Sequence, residues 1–141
     1  MRDSRHVERS TQRPLELILA RNLLSALSTP AFLVNRPGDV VFYNEAAGAL
    51  LGRRFEERGT MSARDWVEEF GPLDQEGAPI PLEEQPLTHA LRTNRPGHTR
   101  HRIRSVRGSE HVVEVSAVPV IGADGSQGAM VFFWVAEDAG R

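Results

Sequence analysis

Residues 111–135 read HVVEVSAVPVIGADGSQGAMVFFWV and contain two adjacent segments with the patterns of β-strands. In the first segment, Val113 and Val115 alternate with polar residues, which is typical of a strand with one buried face and one solvent face. A Gly-rich turn over residues 123–128 follows. The second segment, residues 129–135, is apolar at almost every position. We therefore predict a long antiparallel hairpin whose second strand is covered on both faces of the sheet.

The composition is that of a single globular domain. The chain has 141 residues and a formal net charge of −2. It therefore lacks the excess of positive charge that is typical of proteins that bind nucleic acid or an anionic membrane. It contains no Cys, which excludes disulfides, thiolate nucleophiles and Cys-ligated metals. No apolar run approaches the roughly 20 residues of a membrane span, and we expect a cytoplasmic protein. All 17 basic residues are Arg, which suggests GC-rich coding and a bacterial source.

The chain divides into three predicted segments. Residues 1–13 are charged and almost without aliphatic side chains, so we expect them to be frayed or disordered. Residues 14–28 form an amphipathic helix, and residues 29–138 form the main domain. The apolar stripe of the helix consists of Leu15, Leu19, Leu23 and Leu27. This stripe covers the back of the sheet either in its own domain or in a second copy, and we expect a homodimer through it.

The main domain alternates strand and helix signals. Asn44 and Ser62 have the residue types and positions of helix N-caps. The predicted strands cover residues 31–35, 40–43 and 98–106, the predicted helices cover residues 45–51, 63–70 and 82–93, and a turn covers residues 107–110. Placing Ile103 on the buried face of the hairpin directs His101 inward and sets Arg102 opposite Glu114.

The order of these segments resembles the PAS family of sensory domains. The sequence Tyr43-Asn44-Glu45-Ala46 matches the aromatic-Asn-x-Ala motif through which the second strand of a PAS domain commonly enters a helix. The resemblance continues through residues 74–79, residues 86–91 and the last three strands. It covers about residues 28–135. It implies an α+β fold with a five-stranded antiparallel sheet of order 2-1-5-4-3, helices on one face, and the N-terminal helix outside that core.

PAS domains often hold a small ligand between the helices and the inner face of the sheet, and the resemblance implies such a pocket here. The candidate pocket residues are Phe42, Trp66, Phe70, Leu87, His101, Ile103, Val115 and Met130. His101 is the best-oriented polar candidate, with a core His bonded to a backbone carbonyl as the alternative. The sequence does not identify a ligand. The larger side chains could instead fill the core and leave a protein-interaction module.

The resemblance also limits the cofactors. Flavin-adduct sensors and thioester-linked chromophores use a Cys, so both chemistries are excluded here. Haem PAS domains commonly use a helical His, and His89 lies on the corresponding helix. At 100° per residue, His89 lies about 200° from the inward Leu87, so we expect it to face solvent. A haem-based sensor with His89 as the iron ligand is the minor alternative. His98 and His101 fall on opposite faces of one strand and cannot chelate one metal ion together.

No catalytic arrangement is recognisable in the sequence. Adjacent acidic residues such as Glu68 and Glu69 diverge on helix or loop surfaces, and the Ser, His and Asp residues match no nucleophile motif. We therefore predict a non-catalytic sensory or regulatory module that controls an effector domain or partner protein, such as a kinase, phosphatase or nucleotide cyclase. The alternative is a pure interaction or dimerisation module without a ligand.

Overall fold

A computed structural model describes residues 15–136 of the chain. The predicted frayed segment, residues 1–13, lies outside the described residues, as do Pro14 and residues 137–138. The strands are β1 Ala31–Asn35, β2 Val40–Tyr43, β3 Gly97–Arg104, β4 Glu110–Gly122 and β5 Gly125–Val135. The helices are α1 Leu15–Ser25, α2 Glu45–Leu51, α3 Phe55–Arg58, α4 Ala63–Phe70 and α5 Pro86–Thr93, with a 3-10 turn at Leu82–Glu84.

The strands form one antiparallel sheet of order β2-β1-β5-β4-β3, which confirms the predicted topology. The predicted caps are also confirmed: the Asn44 side chain accepts from the Ala47 N–H, and the Ser62 hydroxyl accepts from the Asp65 N–H. Gly52 ends α2 with a φ of 88°, a conformation that glycine adopts without strain. Over residues 15–136 no helix is long and apolar enough to cross a membrane.

The predicted helix over residues 82–93 is wrong as a single element. The chain makes a 3-10 turn at Leu82–Glu84, Gln85 adopts extended backbone, and α5 begins at Pro86. A proline ring clashes with a helical conformation at the residue before it, so Pro86 interrupts one helix and suits the first turn of the next.

Both turns beside β4 differ from the prediction. Ala123 and Asp124 alone connect β4 to β5, and the glycine-rich residues after them already belong to β5. The register between β4 and β5 shifts at a bulge between Val120 and Ile121. Gly128 allows β5 to approach β1, because a Cβ there would clash with the Val34 carbonyl oxygen.

The β3–β4 turn covers residues 105–109, so it begins two residues earlier than predicted, and a 2.8 Å hydrogen bond from the Ser105 N–H to the Ser109 carbonyl closes it. The predicted pairing of Arg102 with Glu114 is therefore wrong, and Arg100 lies opposite Glu114. A shift of two residues keeps every side chain on its predicted face, so the inward direction of His101 is confirmed.

The sheet separates two apolar cores. On the front face, the helices α2, α4 and α5 cover a core that includes Phe32, Val131 and Phe133. On the back face, α1 packs on β1 and β2. That second core consists of Leu17, Ala20, Leu24, Ala31, Leu33 and Phe42. The prediction that the last strand has apolar residues on both faces is confirmed.

The orientation of α1 excludes the alternative in which the stripe of Leu15, Leu19, Leu23 and Leu27 covers the sheet of its own domain. Leu17, Ala20 and Leu24 do so instead. Three residues of the predicted stripe, Leu15, Leu19 and Leu23, are 64%, 57% and 50% exposed, and Leu27 is exposed as well. The helix is apolar on two faces, so its periodicity alone could not select the inner one.

Asn44 joins four segments of the fold. Its Oδ1 accepts hydrogen bonds from the Ala31 N–H (3.1 Å) and the Ala47 N–H (3.0 Å). Its Nδ2 donates to the carbonyls of Leu24 (3.0 Å) and Thr29 (2.8 Å). A side-chain amide has two donor hydrogens and two acceptor lone pairs, so this buried group is fully satisfied. It fixes the end of α1 to the start of β1 and α2.

Candidate functional site

A cavity of about 50 Å³ lies between the front face of the sheet and the helices α4 and α5. Every residue that lines it is buried, and most of the lining is apolar. Its walls are formed by Phe32, Leu51, Trp66, Phe70, Gly71, Pro72, Gln85, Pro86, Leu87, His101, Ile103, Val115, Val131 and Phe133. This is the place where the family resemblance implies a pocket.

Six of the eight candidate pocket residues line the cavity: Trp66, Phe70, Leu87, His101, Ile103 and Val115. The other two, Phe42 and Met130, belong to the back core, so their assignment to the pocket side is wrong. Phe42 packs there against Phe55, with ring centroids 5.4 Å apart. The Cζ atom of Arg21 lies 4.4 Å from the centroid of the Phe42 ring. Both misplaced residues come from strand segments that are apolar at every position, residues 40–43 and residues 129–135, where no alternation indicates which residues face the front.

The sequence reasoning missed several lining residues. Phe32 lies at the centre of an aromatic group, with ring centroids 5.1 Å from Phe133 and 6.3 Å from Trp66. Gln85 lines the cavity because the chain is extended before Pro86. The Gln85–Pro86 dipeptide was the available signal, since a residue that precedes proline is disfavoured in a helix.

His101 is the polar group whose environment is most unusual. The residue is only 8% exposed. Its Nε2 is the only buried side-chain nitrogen or oxygen in residues 15–136 without a hydrogen-bond partner. Burial lowers the pKa of the imidazole below its usual value, while a hydrogen bond with the backbone of Arg100 acts in the opposite direction. The ring is therefore neutral at pH 7.

We expect His101 to make the protein less stable in mild acid. Its pKa is lowered by folding, so below about pH 6.5 the unfolded chain binds a proton that the folded chain resists. The free energy of unfolding should therefore fall as the pH drops from 7 to 5, and the fall should be smaller in His101→Phe. Urea denaturation at several pH values measures both slopes. Equal slopes would show that His101 does not resist protonation in the folded state.

A polar cluster lies on the back face of β3 and β4, away from the cavity. His98 Nδ1 is 2.7 Å from the Ser116 hydroxyl, and His98 Nε2 is 2.8 Å from a Glu114 carboxylate oxygen. The Nε and Nη2 groups of Arg100 donate to the other oxygen of Glu114 at 2.9 and 2.6 Å. These hydrogen bonds, first from Arg100 and then from His98, lower the pKa of Glu114.

The contact between Ser116, His98 and Glu114 was not recognised in the sequence, because the three residues are separated along the chain. It lies on an open strand surface, and β4 pairs with strands on both sides. The backbone N–H groups of β4 therefore form hydrogen bonds within the sheet. Acyl transfer would require free N–H groups that stabilise an oxyanion. We interpret the cluster as cross-strand pairing.

A family-level sequence comparison matches the PAS family, described as the PAS fold, over residues 19–134. The chain belongs to the PAS family. PAS domains are sensory and signalling modules and are generally non-catalytic. In this PAS domain the cavity lies between helices and sheet, where the resemblance implied a pocket. A search of curated proteins found no match.

Solved PAS structures share the fold at low sequence identity. The PAS domain of a Colwellia psychrerythraea protein is 14% identical, with a TM-score of 0.61 over 85% of this chain and 96% of that chain. A PAS domain from a two-component sensor histidine kinase is 19% identical, with a TM-score of 0.58 over 86% and 97%. The Rhodobacter sphaeroides LOV protein is 12% identical, with a TM-score of 0.68 over 91% and 71%. These similarities show the fold alone.

The His residue considered for haem lies outside the cavity of this PAS domain. His89 is exposed on α5 and does not line the cavity, whereas Leu87 does. The expectation that His89 faces solvent is confirmed. Within residues 15–136 no three His, Asp or Glu side chains come together in a way that could hold a metal ion.

Proposed function

We propose that this PAS domain is the sensory module of a cytoplasmic bacterial signalling protein. In this proposal a small molecule binds in the cavity, and a homodimer formed through α1 transmits the bound state to an effector such as a kinase, phosphatase or nucleotide cyclase. The largely apolar cavity, lined by buried residues with a polar group in its wall, carries the proposal. The likeness to the PAS domain of a sensor histidine kinase supports it by analogy.

The size of the cavity limits the ligand. A cavity of roughly 150 Å³ holds benzene in another protein, whereas about 50 Å³ is open here. A molecule of a few heavy atoms needs little rearrangement, while a flavin or haem would require the core to open. We therefore propose a small, non-covalent ligand and no flavin, haem or Cys-linked chromophore.

The second candidate function is a protein-interaction module with no ligand. The close aromatic packing around Phe32, Trp66 and Phe133 favours it, because these side chains already fill most of the front core. Native mass spectrometry and an absorption spectrum of freshly purified protein distinguish the two functions. A co-purifying small molecule supports sensing. An apo mass, together with no stabilisation by any member of a small-molecule library, supports the interaction module.

The outer face of α1 supports a homodimer. Its residues at positions 15, 18, 19, 22 and 23 are uncharged, and four of them are Leu or Ile. On the back of the sheet, Trp134 is also 42% exposed. A second copy would remove both apolar surfaces from water, and a two-fold arrangement would pair identical α1 helices. The uncharged face has no feature that favours a strongly charged partner.

The double variant Leu19→Arg/Leu23→Arg is expected to convert a dimer into a folded monomer. Both side chains point away from the back core, so the fold should persist while buried charges prevent association. Light scattering should show the mass falling by half with an unchanged circular dichroism spectrum. Ala49→Arg, on the exposed face of α2, is the matched control and should remain dimeric. A wild type that is monomeric at high concentration would contradict the proposal.

A further inference from the structure

His101, whose Nε2 atom has no hydrogen-bond partner, is one of two polar side chains that line a largely apolar cavity. It comes from β3 and lines the cavity on the sheet side, as do Ile103 and Val115. A buried polar atom without a partner costs free energy, roughly 1–3 kcal/mol in mutational data. An apolar side chain at this position would avoid that cost, so the histidine is poorly explained by core packing alone.

The position of the hydrogen on the ring determines what Nε2 can bind. A neutral imidazole carries one hydrogen, on either Nδ1 or Nε2, so the unpartnered Nε2 atom can make one hydrogen bond as acceptor or as donor. A hydroxyl group suits both tautomers, because it can donate and accept.

Gln85 is the other polar side chain in the lining of the cavity. Gln85 is buried, and its Nε2 donates to the Ile80 carbonyl at 3.1 Å. The remaining lining side chains are aromatic or aliphatic. A charged ligand would lose its hydration in such a site without gaining a counter-ion. The cavity therefore favours a neutral molecule with one hydroxyl group.

We propose that His101 Nε2 anchors the ligand, and that the ligand is a small, neutral, largely apolar molecule with one hydroxyl group that is hydrogen-bonded to it. This inference rests on the proposed ligand-binding function of the cavity. It adds the orientation of the ligand and the chemical group by which the ligand is selected.

Phenol and toluene test the inference, because they have similar shapes and only phenol has a donor. Calorimetric titration of the full chain should show phenol binding about tenfold more tightly than toluene, the effect of one good hydrogen bond. The same titrations are made with Phe70→Ala, whose larger cavity has room for a ring if the wild-type cavity is too small. In His101→Phe the preference should disappear. His98→Phe, on the opposite face of the same strand, should keep it.

A spectroscopic measurement separates anchoring from a structural role. The ¹⁵N resonance of His101 Nε2 should move when phenol is added and stay in place with toluene. Equal affinities for the two probes, with no movement of the resonance, would overturn the anchor while leaving the cavity as a ligand site. If neither probe binds to the wild type or to Phe70→Ala, the anchor and the proposed sensing function both fail.

Discussion

Replacing Asn44 with Ala is expected to lower the free energy of unfolding by about 3–5 kcal/mol, one of the largest effects available in this domain. The change removes four hydrogen bonds at once. It leaves the N–H groups of Ala31 and Ala47 and the carbonyls of Leu24 and Thr29 without this partner in a region with little access to water. Urea denaturation measures the loss, and hydrogen exchange should show that the end of α1 becomes less protected.

Asn44→Asp is the matched control, because it keeps the shape of the side chain. One carboxylate oxygen can still accept from Ala31 and Ala47, but the other would face the carbonyls of Leu24 and Thr29 without a hydrogen to donate. Folding should therefore raise the pKa of this carboxyl, and the destabilisation should shrink as the pH falls and the group is protonated. A loss under about 1 kcal/mol in both variants would show that the hydrogen bonds do not fix α1.

Phe70→Ala is expected to cost a similar amount, about 3–5 kcal/mol, because it removes a large buried side chain from the cavity wall. The enlarged cavity should then bind benzene. Benzene at ten times its Kd should restore about 1.4 kcal/mol to the free energy of unfolding. Thermal or urea denaturation with and without benzene measures this recovery.

Phe55→Ala is the control for cavity enlargement. Phe55 is half-buried, packs against Phe42 and Tyr43, and does not line the cavity. It should cost less than Phe70→Ala, and benzene should not restore its stability. If benzene raises the free energy of unfolding of both variants, benzene binds outside the enlarged cavity. If it raises that of neither variant, the core has collapsed into the space left by the Phe70 ring.

The sequence was most informative where its pattern had a defined phase. Val113 and Val115 alternate with polar residues, and their buried face was predicted correctly. Met130 lies in a run of apolar residues, and Phe42 in another, so the same reasoning assigned both to the wrong face. The strand order came from the family resemblance, since a single sequence contains no direct information on which strands pair.

The candidate site was predictable in part for the same reason. His101 follows from the phase of β3, which alternates inward and outward residues. Its unpartnered nitrogen depends on the positions of side chains from several elements, which no local pattern specifies. The sequence also could not identify which face of α1 packs on the sheet. Leu17 and Leu19 are equally apolar, and only the shape of the sheet selects between them.

The alternation of side chains along β1 and β5 has a mechanical consequence. Phe32 touches the cavity from the front, and the next residue, Leu33, belongs to the packing beneath α1. Val131 and Met130 have the same relation on the paired strand. A closely packed interior has low compressibility. If a ligand displaces the strands that line the cavity, the neighbouring side chains cannot take up that displacement by compressing. A displacement of these strands would reach α1 through a single layer of backbone, without a hinge or a mobile loop between the two sites.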